Sequence, residues 1–218
     1  MNSKRKDTPT YTYKPMKHLT TGTHTLRLQK GTSELLLIDG VGVTLTVEQE
    51  EDTSLVIYCS TLQGTGENHI NILQLGNNAS TELRGKVVLH GTDNVANITR
   101  ITHNAIGGKS NCIFKYVLYD EAKGFFRGDL IIKPDAQKTQ ASQTNRNILL
   151  SDRARMQTLP QLEIYADDVK ASHGATTGQM NEDAIFYMQQ RCIARQEAEQ
   201  LLLEAFLMDV TYNENKQE

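Results

Sequence analysis

Between residues 20 and 160 the sequence contains no run of about a dozen residues with the periodicity of an amphipathic helix. Short apolar or alternating segments recur there instead. Glycine, asparagine and aspartate separate them, for example at residues 39–40, 76–78 and 107–108. Short alternating segments bounded by such turn-forming residues are typical of β-strands. This region is therefore predicted to be all-β.

Two all-β architectures fit this pattern. A sandwich needs strands that return as hairpins, whereas a β-solenoid stacks short strands on successive coils. Predicted strands of only four to seven residues, frequent Asn and Thr in turns, and scarce proline and aromatic residues favour the solenoid. The segment 138–147 favours it too, because it is strand-like but polar on both faces, as suits a coil edge or a paired interface. No strict short repeat is present, which argues against the hexapeptide type of left-handed helix. The residues alone leave both architectures open.

Residues 162–179 combine a predicted strand with the most chemically interesting side chains. The strand is followed by two carboxylates, Asp167 and Asp168, and then by a predicted turn centred on His173. Neighbouring residues of a strand point to opposite faces, so the two carboxylates are not expected to share a proton or a metal. That alternation also disfavours a carbohydrate-active enzyme built on Asp167, Asp168 and Lys170. A neutral His173 imidazole is a candidate for metal binding or proton transfer, and a structural role is the alternative.

Two helices are predicted at the C-terminal end. Asn181 followed by two acids is typical of an N-cap, and the helices are expected over residues 182–191 and 194–210. The second helix carries two apolar stripes. One can pack within the chain, and the other is expected to bind a partner. The alternative is that both stripes are buried within the chain.

Composition and charge narrow the function classes. The 218 residues carry a net charge of −3, with basic residues concentrated at the start and acidic residues at the end. No recognised nucleic-acid motif accompanies the basic start, no apolar run is long enough to cross a membrane, and Cys59, Cys112 and Cys192 form no CxxC pair. We therefore expect a cytoplasmic protein that binds neither nucleic acid nor membrane. Its expected segments are a disordered basic tail (1–17), a β core (18–180), a helical segment (181–212) and a disordered tail (213–218).

Several segments of the second half resemble the SufB/SufD family of iron–sulfur cluster assembly proteins, and most closely its SufD members. In chain order they are FRG at 126–128, AQKTQASQTNRNILLS at 136–151, LPQLEIYADDVKASHGATTGQM at 159–180, AIFYMQQRCI at 184–193 and AEQLLLEAF at 198–206. Residues 20–123 are only compatible with the β body of the family.

The resemblance implies a fold, partners and a site. The implied fold is a right-handed parallel β-helix with a small two-helix appendage. The implied function is that of a non-enzymatic scaffold, which pairs through its β-helix edge with a SufB-like or identical subunit. The helices would dock a SufC-type ABC ATPase, with partner-binding residues at Tyr187, Arg191, Leu203, Phe206 and Leu207. His173 falls on the family's histidine and would contact iron or an iron–sulfur cluster, held transiently with a partner's thiolate.

Three departures from the family pattern bear on this function. Ala171 stands where the family commonly has a cysteine, Cys192 where it favours glycine, and Ala194 where proline is frequent. The length also leaves no room for the further N-terminal region of many SufD proteins, so either a minimal member or a divergent paralogue is expected. The alternative function is a homodimeric structural paralogue without cluster-assembly activity.

Overall fold

The computed structural model describes residues 16–213, and two parallel β-sheets make up most of them. The seven-stranded sheet contains β1 Lys17–Leu19, β3 Ser33–Asp39, β5 Ser54–Thr61, β7 Ser80–Leu89, β9 Lys109–Leu118, β11 Gln140–Leu149 and β13 Lys170–Gly178, in that order. The six-stranded sheet contains β2 Gly22–Leu28, β4 Val43–Gln49, β6 Thr65–Gln74, β8 Asn94–His103, β10 Lys123–Ile132 and β12 Arg155–Ile164. The helices α1 Glu182–Gln189 and α2 Arg195–Leu207 follow.

Successive strands alternate between the two sheets, and each strand pairs in parallel with the strand two places along the chain. This is a parallel β-solenoid, so that prediction is confirmed and the sandwich with hairpin connections is wrong. The predicted tails, residues 1–17 and 213–218, lie outside the described residues apart from 16, 17 and 213.

The strands are longer than predicted. From β6 to β12 each strand spans ten residues, where four to seven were expected. The difference arises because polar residues point inward within these strands and break the apolar pattern. Asn68 and Asn97 are fully buried; Asn68 donates to Asn97 Oδ1, and Asn97 donates to the hydroxyl of Tyr116. Buried amides are tolerated because they bond to one another.

One hydrophobic cluster fills the space between the sheets along the solenoid. Its largest side chains are Phe114, Tyr116 and Phe126, all fully buried. Gly85 makes room for Phe114, because a Cβ at Gly85 would lie 2.1 Å from the Phe114 ring. Side chains in register on neighbouring strands therefore interlock from coil to coil.

One corner of the solenoid repeats a left-handed backbone conformation in successive coils. Gly31, Asp52, Asn78, Gly107 and Lys138 have φ angles of 71°, 56°, 57°, 74° and 61°. Backbone hydrogen bonds stack these positions, with each N–H donating to a carbonyl of the next coil. Gly, Asn and Asp adopt this conformation at the lowest cost, which explains why they punctuate the sequence. Lys138 is the exception.

Candidate functional site

The C-terminal end of the solenoid presents two neighbouring strands with free edges. β13 ends the seven-stranded sheet and β12 ends the six-stranded sheet. Lys170 N–H donates to Thr139 O, so the even-numbered residues of β13 bond to β11. The odd-numbered residues direct their N–H and C=O groups away from the solenoid. These are Ala171, His173, Ala175 and Thr177. Such an edge is a template for pairing with another strand.

β12 offers a matching edge with one interruption. Arg155 N–H donates to Ala122 O and Tyr165 N–H donates to Ile132 O, so the odd-numbered residues bond to β10. The even-numbered residues direct their backbone N–H and C=O groups away from β10, and Pro160 is one of them. Proline has no N–H, and this outward position is one where no ladder hydrogen bond is lost. The β12 edge therefore presents donors on both sides of a gap.

His173 lies on β13, within this open end, and not in a turn as the sequence predicted. It is in register with Gln143 of β11, and the column continues inward through the buried residues Leu36, Ile57, Leu83 and Cys112. Residues that share a column in an in-register parallel sheet point to the same face. The His173 side chain therefore belongs to the inner face, but it is exposed because no strand covers it.

The inner face beneath His173 is polar. Where β9 places Cys112, Phe114 and Tyr116, β11 places Gln143, Asn145 and Asn147, and all six side chains are buried. Asn147 Oδ1 on β11 and Thr158 Oγ1 on β12 are buried without a hydrogen-bond partner among the described residues. The segment 138–147 is therefore polar on both faces because β11 directs amide side chains inward and other polar side chains outward.

The edge strands β12 and β13 together contribute one imidazole, that of His173. No group of three or more His, Cys, Asp or Glu side chains is placed to hold a metal within residues 16–213. Ala171 contributes no donor atom, and Asp167 and Asp168 are exposed in the turn between β12 and β13. Cys59 and Cys112 are buried in the core, and burial raises the pKa of the Cys112 thiol to about 12. The raised pKa favours the protonated thiol, whereas the thiolate is the form that binds metals.

The helical segment packs on the outer face of the seven-stranded sheet. Leu207 and Val210 are buried against Val117, with Leu203 and Phe206 packed around them. Three of the predicted partner-binding residues, Leu203, Phe206 and Leu207, are thus engaged within the chain. Of the other apolar stripe, Leu201 is 43% and Met208 61% exposed, whereas Ala198 is buried.

A buried lysine, which sequence reasoning missed, fastens the helical segment to the solenoid. Lys115 is buried, and its Nζ lies 2.6 Å from both Phe206 O and Asp209 Oδ1. Arg84 adds a hydrogen bond to Asp209 O at 2.7 Å. A cation suits this place because the last carbonyls of a helix lack partners and carry negative partial charge. A lone lysine within a strand gives no sequence signal of this contact.

The other two predicted partner-binding residues, Tyr187 and Arg191, lie on or just beyond α1. Both side chains are exposed, the Arg191 guanidinium stacks 3.5 Å from the centre of the Tyr187 ring, and Phe186 beside them is 63% exposed. The helix begins as predicted, with Asn181 Oδ1 accepting from Ala184 N–H. Exposed aromatic side chains of this kind are enriched in protein interfaces.

The comparison with known families decides the identity of this solenoid. A family model described as "SUF system FeS cluster assembly, SufBD core domain" matches residues 42–206. The chain belongs to the SufBD family. The match begins well upstream of residue 126, so β-strands that looked merely compatible with the family are part of its core domain.

Individual proteins are similar to this chain over 66–77% of its length. The iron–sulfur cluster assembly protein SufD of Escherichia coli K12 is 34% identical over 162 residues, which is 74% of this chain and 38% of that protein. A SufBD family protein of Synechocystis is 34% identical over 143 residues, 66% of this chain and 32% of that protein. "Protein ABCI7, chloroplastic" of Arabidopsis thaliana is 30% identical over 168 residues, which is 77% of this chain and 35% of that protein. The chain thus spans 32–38% of the length of these relatives. Within residues 16–213 no helix is long and apolar enough to cross a membrane.

Proposed function

We propose that this SufBD protein is a SufD-like scaffold of iron–sulfur cluster assembly. In this proposal the β12 and β13 edges pair with a SufB-like or identical subunit, and the helical segment docks a SufC-type ABC ATPase. The chain acts as a cytoplasmic assembly component and not as an enzyme. The family match supports the assembly role. The single observation that carries the mechanism is the pair of neighbouring edge strands, β12 and β13, that terminates the two sheets beside the exposed His173.

Pairing follows from the physics of that end. Each edge carries regularly spaced backbone donors and acceptors, and the inner faces of β12 and β13 are open to solvent. A second solenoid that pairs end to end satisfies these backbone groups and covers the inward-facing amides of β11. Charged residues and proline commonly protect edge strands from pairing, and β13 has only Lys170, at its first position.

His173 is the residue proposed to meet the cargo. An exposed imidazole at the mouth of the solenoid supplies one nitrogen donor for iron, a ligand that iron–sulfur centres accept. One donor does not hold a cluster, so the remaining ligands, thiolates above all, come from the partner. The nascent cluster is therefore shared across the interface and released when the subunits separate.

The proposed ATPase surface combines α1 with the exposed apolar residues Leu201 and Met208 at α2. Phe186 and Tyr187 are both more than half exposed, and Leu201 and Met208 extend the apolar surface along the neighbouring helix. Because Lys115 fixes α2 to the sheet, movement of a bound motor would be transmitted to the solenoid and its open end.

Two measurements test the proposal. The first is co-purification under native expression with a SufC-type ATPase. We expect retention by the wild-type chain and loss after Tyr187→Ala combined with Met208→Ala; absence of any ATPase association would count against the docking role. The second is anaerobic reconstitution with iron and sulfide in the presence of a SufB-like subunit, with His173→Ala as the test variant and Ser172→Ala as its matched neighbour.

The alternative, a homodimeric structural paralogue, is favoured by one observation: Ala171 removes the donor that the family commonly places two residues before His173. Under this alternative the wild type and His173→Ala give the same cluster absorbance, alone and with every partner, while the chain still dimerises. A cluster signal that depends on His173 excludes it.

A further inference from the structure

A groove of about 1410 Å³ separates α2 from the residues that follow strands β9, β11 and β13. Tyr119 and Leu150 contribute apolar side chains from the solenoid, and Leu203 contributes one from α2. None of these three side chains is fully buried. A groove with apolar side chains beside a helix is a common binding place for a peptide segment.

The groove is acidic, with five carboxylates and two cations in its lining and therefore a formal charge of −3. The lining carboxylates are Asp152, Glu182, Glu197, Glu199 and Glu204, and the lining cations are Lys86 and Arg195. Arg195 forms ion pairs with Glu182 at 2.7 Å and with Glu199 at 2.8 Å. The other three carboxylates are exposed and form no ion pair within residues 16–213. Charge complementarity therefore favours a basic occupant.

The chain itself contains such a segment, residues 1–15, which lies outside the described residues. It has four cations, Lys4, Arg5, Lys6 and Lys14, and one carboxylate, Asp7, which gives a formal charge of +3. Carboxylates of the first coils already have cationic partners. The pairs are Glu34 with Lys17, Glu48 and Glu50 with Arg27, and Glu51 with Lys30. The unpaired carboxylates of the groove are therefore better partners for this basic segment.

Residues 1–15 are long enough to reach the groove. Lys86 on β7 is three strand spacings from β1, and the residues after β11 are five spacings away, which is about 14 and 24 Å. Fifteen extended residues span up to about 50 Å. Because both sites belong to one chain, the effective concentration is on the order of millimolar, and a few exposed ion pairs are sufficient for binding.

We propose that residues 1–15 bind in the acidic groove of their own chain and are an autoinhibitory segment. Met208 lines the groove and also belongs to the proposed ATPase surface. The bound segment therefore covers part of that surface, and the ATPase has to displace it. This regulatory purpose rests on the proposed function, whereas the contact between segment and groove is independent of it.

Paramagnetic relaxation in 15N NMR spectra of the whole 218-residue chain tests the contact. A nitroxide is attached at Ser3→Cys in a Cys192→Ala background, and the remaining thiols, Cys59 and Cys112, are buried. At about 10 mM salt, where screening is weak, amide signals of residues 150–152 and 195–204 should lose at least about half of their intensity relative to the reduced label. The signals should recover at about 1 M salt.

Glu197→Lys combined with Glu204→Lys changes the charge of the groove and should abolish the loss of signal. Asp135→Lys combined with Asp167→Lys is the matched control, because it changes the net charge equally at two exposed carboxylates outside the groove. No loss of signal in the groove, loss confined to β1 and β2, or loss that survives the groove variant overturns the proposal. Loss of signal in 15N-labelled chains mixed with separate nitroxide-labelled chains would assign the segment to a second copy and overturn it too.

Co-purification with a SufC-type ATPase separates this proposal from the proposed function. Combined Lys4→Glu, Arg5→Glu and Lys6→Glu should raise the retained ATPase several-fold, and equal retention by the wild type and this variant overturns the autoinhibitory role. If the NMR signals respond as expected but no ATPase associates, the contact stands and the docking function falls. If the ATPase associates but the groove signals ignore the nitroxide, the docking function stands and the autoinhibitory segment falls.

Discussion

At the scale of single residues, backbone conformation explains one departure from the family pattern. Cys192 has a φ of 63° and lies just after α1, where its N–H donates to Gln189 O and the next N–H donates to Met188 O. This is a Schellman motif, in which the left-handed residue is usually glycine. The family's preference for glycine here is therefore conformational, and the exposed thiol is a tolerated replacement.

We expect Cys192→Gly to stabilise the helical segment by about 1 kcal/mol, because a left-handed conformation costs an L-residue roughly that much. The midpoint of urea unfolding, followed by helical circular dichroism, should rise. Cys192→Ala is the control, since it removes the thiol and keeps the strain. A lower midpoint for the glycine variant than for the alanine variant would contradict this account.

His103 is a second residue whose surroundings make a measurable prediction. It is fully buried at the same column position as Gln49 and Gln74, and its Nε2 lies 2.9 Å from Ser110 Oγ. Burial lowers the pKa of His103 from 6.5 to about 4. Between those two pH values His103 binds a proton in the unfolded chain but not in the folded chain. Stability from this residue is therefore complete above pH 6.5 and is lost as the pH falls toward 4.

His103→Gln should remove that pH dependence, because glutamine already fills the two preceding coils. The free energy of unfolding of the wild type should fall relative to the variant by up to about 3 kcal/mol between the two limits. Urea titrations at several pH values measure the difference. If the free energy of unfolding depends on pH in the same way for the wild type and the variant, His103 titrates alike in the folded and unfolded states.

At the scale of elements, sequence periodicity predicted the all-β body and the two helices, since both depend on one buried face. It failed on β13, whose glycines suggested a turn. β13 is an edge strand solvated on both faces, so no alternation marks it, and a Cβ at Gly174 or Gly178 would meet nothing within 4 Å. Its pairing with β11 decides its conformation, and such pairing is invisible in one local segment. His173 was found through family resemblance, whereas Lys115 acquires meaning only from its contacts with a distant helix.

The contact between α2 and the sheet should depend on Lys115. Lys115→Met keeps most of the aliphatic stem and removes the charged hydrogen bonds to Phe206 O and Asp209. We expect docking of α2 to weaken by about 2 kcal/mol, the usual contribution of such a bond. Hydrogen exchange should accelerate in peptides covering residues 195–207, with β3 to β9 unchanged. Lys109→Met, an exposed lysine on the same strand, is the control. Equal protection of α2 from hydrogen exchange in all three proteins would show that Lys115 does not hold α2 on the sheet.

At the scale of the whole molecule, the solenoid is closed along its length and open at its C-terminal end. Where β9 places Cys112, Phe114 and Tyr116 on the inner face, β11 places three amides. At this end, where β12 and β13 terminate the two sheets, β11 is polar on its inner face and the His173 imidazole is exposed. A partner that pairs there would be held mainly by backbone hydrogen bonds around a polar interior. Such an interface can form and separate repeatedly.

Ala175→Pro tests whether those backbone groups make the interface. The Ala175 N–H points away from β11, so proline removes an edge donor without breaking a bond inside the chain, as Pro160 already does on β12. The monomer should fold normally. Its association with a second copy or with a SufB-like chain, measured by sedimentation, should weaken at least about tenfold, or 1.4 kcal/mol. Ala175→Val, which adds bulk and keeps the donor, should associate as the wild type does. If the proline variant associates with unchanged affinity, the subunits meet elsewhere and the open end has another use.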